Sequence, residues 1–103
     1  PRLNSKSARL RCDMNVTIHG KRWRIRFCKF EDASQLGECD SPDTPRKEIR
    51  IRDDLRSEEK LRILIHELRH AADWGQSEQY ICDESNAIAA CLWKLGLRWQ
   101  NEE

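Results

Sequence analysis

Two spacings of apolar residues divide the chain. In "NVTIHGKRWRIRF", residues 15–27, apolar and polar positions alternate. Val16 and Ile18 stand before His19-Gly20-Lys21. Trp23, Ile25 and Phe27 stand after it, with Arg22, Arg24 and Arg26 between or beside them. A period of two around a Gly-containing turn predicts a β-hairpin with one apolar face. "KEIRIR" alternates again and predicts a third strand, with Ile49 and Ile51 inward and Arg50 and Arg52 outward. Between these strands, residues 31–47 carry Gly37, Pro42 and Pro45 among several Asp and Ser. That composition predicts a loop, with a short strand near Glu38-Cys39.

From Ser57 the spacing becomes helical. Ser57 followed by Glu58 and Glu59 predicts an N-cap and an acidic first turn, with a helix over 58–73 stopped at Gly75. A second helix is expected from Ser77 to Leu95, with Gly96 as its C-terminal signal. Leu97 and Trp99 in the following tail are expected to pack back. Residues 1–12 show no apolar period and read as a flexible arm. The reading is one α+β domain over residues 1–103: a small antiparallel or mixed three-stranded sheet followed by two packed helices.

Composition narrows the setting. Charged residues make up 36% of the chain, so a few segments must supply the core. No run of 18 apolar residues and no signal-like start is present, so neither a membrane span nor secretion is expected. The five cysteines, Cys12, Cys28, Cys39, Cys82 and Cys91, form no CxxC pair and read as free thiols of a cytoplasmic protein. Net charge is +1 but uneven. Residues 1–30 hold nine Lys/Arg against Asp13 alone, and residues 31–103 hold ten against seventeen acids. The basic first third suits the solvated face of a strand pair, with nucleic acid or an acidic protein surface as a further partner.

The chemistry concentrates in "LIHELRHAADW", residues 64–74. His66 and His70 are four apart, so on a helix both imidazoles share one face and can reach one ion. Glu67 lies about 100° around the helix, placed to reach a water on that ion rather than to bind it. Leu61, Leu64, Ile65, Leu68 and Ala71 occupy a separate, core-facing sector. A catalytic zinc needs a third protein ligand and an open position. No histidine follows His70, and His19 falls in a turn, which leaves an acid of the second helix. On that helix Ile81, Ala87, Ile88, Cys91, Leu92 and Leu95 form an apolar stripe. Glu84 lies inside the stripe, Asp83 at its margin, and Glu78 outside it. A carboxylate among core side chains is expensive unless a metal or cation pairs with it. Glu84 is therefore the expected third ligand, with Asp83 as the alternative. An ion pair from Glu84 to Arg62 or Arg69 is the competing structural reading. Tyr80 precedes Glu84 by one turn and is a candidate oxyanion donor, or else an amphipathic residue at the rim of the core.

His66-Glu67-Leu68-Arg69-His70, the strand "EIRIR" before it and Glu84 after it resemble the gluzincin branch of the zincin metallopeptidases. The size resembles the minigluzincins found among bacterial and phage proteins, and "DESNAIAACL" is similar to the Glu-bearing helix of ImmA/IrrE-type proteins. The resemblance covers residues 48–95. It implies a zinc peptidase with one Zn²⁺ on His66, His70 and Glu84, and Glu67 as general base. It further implies that a peptide or protein substrate lies along the edge strand carrying Ile49 and Ile51. The interval from His70 to Glu84 is shorter than in large gluzincins, and Ile88 stands where an acid would orient a ligand histidine. Two other functions fit the same residues. One is a zincin-like binding module that uses the basic first third. The other is a latent peptidase whose 31–47 loop covers the cleft, with Cys39 or Asp40 on the fourth metal position.

Overall fold

The computed structural model describes residues 9, 10 and 13–100. In chain order the elements are β1 (Arg9–Leu10), β2 (Met14–Ile18), β3 (Lys21–Cys28), β4 (Gly37–Cys39) and β5 (Glu48–Arg52). They continue with α1 (Ser57–Ala72), α2 (Glu78–Lys94) and β6 (Arg98–Trp99). The fold is α+β: a four-stranded mixed sheet followed by two packed helices, with β1 and β6 as a separate parallel pair. The flexible arm expected over 1–12 falls outside the described residues except at β1, which is strand. Among the described residues, no helix is long and apolar enough to cross a membrane.

The hairpin forms as its alternation dictates. Val16 pairs with Trp23 and Ile18 with Lys21. His19 and Gly20 both take positive φ, 49° and 76°, as a two-residue hairpin turn requires. β3 then pairs in parallel with β5, and β4 adds antiparallel to the far side of β5, giving the order β2-β3-β5-β4. The strand of Ile49 and Ile51 is therefore interior, which corrects its expected place at the edge. Both isoleucines are fully buried, and an interior strand buries such side chains best. The exposed edge on this side is the short β4.

α1 covers one face of the sheet, and α2 packs on α1. Trp23 and Ile25 of β3 and Ile49 and Ile51 of β5 meet Leu61, Leu64 and Ile65 of α1. Burying each large aliphatic side chain contributes about 1.5–3 kcal/mol. Trp99 closes the core as expected. Its indole N–H donates to the Ser57 carbonyl at 3.0 Å, and its ring meets Phe27 edge-on at 5.4 Å. Ser57 is the first helical residue rather than the cap. Its φ is 55°, and Arg56 in the cap position makes no side-chain cap bond. α2 begins as expected, with Ser77 Oγ accepting from the Tyr80 backbone N–H at 3.2 Å.

The other face of the sheet is wet and ion-paired. The Arg50 guanidinium bonds Asp40 at 2.6 Å, Glu48 at 3.1 Å and Glu38. Its position across from Glu38 in the β4–β5 register makes it a clamp on the short edge strand. Hydrogen bonds from Arg50 hold the Asp40 carboxyl below its usual range.

Candidate metal centre

α1 carries the motif between α2 and β4. Its aliphatic side chains fix its rotation on the sheet, and that rotation turns His66 and His70 toward α2. The two side chains are largely buried, and their Nε2 atoms stand 3.1 Å apart. Burial, more than any neighbouring charge, pushes the His66 pKa down and favours the neutral ring that a metal ligand needs.

The third group is Glu78. One carboxylate oxygen lies 2.8 Å from His66 Nε2 and the other 2.8 Å from His70 Nε2. A tight connection delivers it. The Asp73 N–H closes α1 on the Arg69 carbonyl at 2.9 Å, and the Gln76 N–H bonds the Asp73 carbonyl at 3.0 Å. Ser77 then starts α2, so the first residue of that helix returns to the last turns of α1. A carboxylate is also favourable at a helix N-terminus.

Glu84, the expected ligand, is elsewhere. Both of its bonds go to the Arg69 guanidinium, from Nε at 2.8 Å and Nη2 at 2.6 Å. The ion-pair reading holds for this residue, with Arg69 as its partner. Asp83, the alternative, is exposed and accepts from Gln79 Nε2 at 2.9 Å. The physical reason is the rotation of α2. Its packed face is Ile81, Ser85 and Ala89, all fully buried, and Glu78 stands exposed at the start of that face. Of the stripe read from the sequence, Ile81 is fully buried and Leu92 and Leu95 are half-buried, but Ala87, Ile88 and Cys91 are exposed. Small residues make the contact because they let α2 approach α1 closely, and Ser85 satisfies its hydroxyl internally on the Ile81 carbonyl at 2.6 Å. Tyr80 also moves out of the site. It is half exposed, and it leaves α2 roughly 160° from Glu78 at the helical pitch, so no oxyanion role follows from its place.

Glu67 is buried at 8% exposure, on the β4 side of α1. Burial raises its pKa to about 7, with the charges of Glu78 and Glu38 adding to the shift. A Cβ on Gly37 would stand 2.9 Å from Ile63 Cγ2 and 3.0 Å from Glu67 Oε2. Glycine at that position is what lets the edge strand lie against the glutamate. Cys39, two residues on, has its thiol pKa raised to about 12, first by burial and then by Glu67. It donates to the Asp40 carbonyl at 3.3 Å. Asp40 is occupied by Arg50 and by the Glu48 N–H at 2.9 Å, so it does not serve as a blocking ligand.

Three donors gathered in this way can hold a metal ion. The ligand atoms of His66, His70 and Glu78 lie within 4.8 Å of one another. Bonds of about 2.0–2.1 Å at tetrahedral angles would separate ligand atoms by roughly 3.3 Å. The observed 2.8 and 3.1 Å need open by only a few tenths of an ångström. Glu78, whose side chain is 70% exposed, is free to make that adjustment. Two nitrogens and one carboxylate oxygen suit zinc chemically, and three protein ligands leave room for a water. The sequence signal for Glu78 was its spacing: a tight turn after α1 brings back the first turn of the next helix, not its middle. No family model, curated protein or solved structure matches the chain.

Proposed function

We propose that the protein is a zinc-dependent hydrolase of peptide bonds, with zinc on His66, His70 and Glu78 and with Glu67 as general base. The observation that carries this reading is the Glu78 carboxylate, set 2.8 Å from the Nε2 atoms of both motif histidines. The resemblance of the HExxH helix to the gluzincins supports it, with the acid taken from the start of the second helix.

When bound, zinc supplies Lewis acidity toward a carbonyl and acidifies a coordinated water. Glu67 takes the proton of the attacking water and hands it to the leaving amine. Arg50 and Gly37 hold β4 beside that carboxylate. The free edge of β4 is the place for an extended peptide to add as a further strand. Cys28, Cys39, Cys82 and Cys91 are free thiols, which suits the cytoplasmic setting expected from the sequence.

Metal content and cleavage of an unstructured protein such as casein test the reading together. Glu67→Gln should retain the parent's zinc and lose about 10²–10⁴-fold in cleavage rate. Cleavage at the parental rate by that variant would overturn the assignment.

A further inference from the structure

Away from the metal centre, β5 leaves β3 at Glu48, and the chain before it opens a cavity of about 470 Å³. Four cations line it: Arg22 and Arg24 of β3, and Arg46 and Lys47 of the loop into β5. Among the described residues, the only acid on the wall is Glu48. Elsewhere on this face the arginines are matched. Arg50 has three carboxylates, Arg26 has Glu48 at 3.2 Å, and Arg52 has Asp54 at 2.7 Å. Arg22 and Arg46 have no ion pair among the described residues, and Arg24 only reaches Glu48 at 3.9 Å. Glu48 is already shared with Arg26 and Arg50, so little of its charge is left for the cavity.

One further feature marks this wall. Arg46 holds a left-handed backbone, φ 51°, a conformation that costs a non-glycine residue energy and persists where something is gained by it.

We propose that this cavity is a phosphate-binding site, for the phosphates of a nucleotide or of a nucleic-acid strand. Concentrated positive charge from arginine forks fits a phosphate, which carries more charge and more acceptor oxygens than a single carboxylate. The ring of Trp23 is buried and covered by Lys47 Nζ at 5.7 Å, so it offers no stacking platform for a base. Recognition is therefore of the phosphate group and independent of base sequence.

The test uses the full chain with three probes: inorganic phosphate, ATP and a fluorescent 12-nucleotide single-stranded DNA. Phosphate probes should shift the assigned guanidinium Nε–H resonances of Arg22 and Arg46. DNA affinity should fall steeply with salt, and Arg22→Ala/Arg46→Ala should weaken it about 10-fold or more while Lys94→Ala leaves it unchanged. ATP binding as tight as DNA assigns the site to free nucleotides; much tighter DNA assigns it to a strand. His66→Ala should leave all of this intact, so a failed peptidase reading and a failed phosphate site are told apart. The proposal is overturned if no phosphate probe binds. Unchanged binding by the folded double variant, checked by circular dichroism, or equal binding of polyglutamate would overturn it too.

Discussion

The two helices pack against each other by opposite means. α1 buries large aliphatic side chains against the sheet, Leu61 at 2% and Ile63 at 6% exposure, and its rotation is fixed by volume. α2 presents Ser85 and Ala89 to α1 and turns Ile88 and Tyr80, 40% and 49% exposed, toward water. Its rotation is fixed by how closely its backbone can approach. The candidate metal site lies where the two regimes meet: α1 supplies the imidazoles from a rigid, volume-locked face, and α2 supplies a carboxylate from a first turn set by close contact. In a helix pair of this kind, hydrophobicity alone locates the candidate ligands on the first helix and mislocates them on the second.

Substitutions separate the regimes. Leu61→Ala should cost about 3–4 kcal/mol in chemical denaturation, because it leaves a cavity between α1 and the sheet. A cost below 1 kcal/mol would show that α1 is not volume-locked. Glu67 is the polar exception on that helix, and its burial makes stability depend on pH. Its pKa in the folded protein, about 7, stands above the ordinary 4.5, so the native state holds a proton that the unfolded chain has lost. The contribution of Glu67 to the stability of the metal-free protein should fall as pH rises from 4.5 to 7, by on the order of 3 kcal/mol, and level off above, with the lowered pKa of His66 acting in the opposite sense over part of that range. Glu67→Gln should remove that decline; an unchanged pH profile would contradict the burial of Glu67. On α2, Ala89→Leu should cost about 2 kcal/mol by forcing the helices apart. Ile88→Ala and Tyr80→Ala should each fall within about 0.5 kcal/mol despite removing far more apolar surface. The reverse order would mean that the stripe read from the sequence is the packed face after all.

Much of this was legible before any coordinates. The alternation in "NVTIHGKRWRIRF" and "KEIRIR" specifies strands because period two has no other use in a folded chain. The turn at His19-Gly20, the cap at Ser77 and the sector holding His66, Glu67 and His70 follow from local rules. What was not legible depends on distant partners. Strand order is one case: β5 is interior because the three-residue β4 crosses to its outer side, and β4 has no apolar alternation to announce it. Glu84 is the other. Its place among apolar neighbours suggested a buried carboxylate, but Ala87, Ile88 and Cys91 on that stripe are exposed, and Arg69 on α1 takes its charge. Counting apolar residues also undervalues Ser85, whose hydroxyl is satisfied within its own helix and whose size, not polarity, decides where it packs.

The central claim concerns which carboxylate completes the metal centre, and zinc titration by calorimetry on the parent, Glu78→Gln and Glu84→Gln addresses it directly. The parent should bind one zinc, Glu84→Gln should bind it with parental affinity, and Glu78→Gln should lose about 100-fold or more in affinity. Parental affinity in Glu78→Gln together with a large loss in Glu84→Gln would contradict the account.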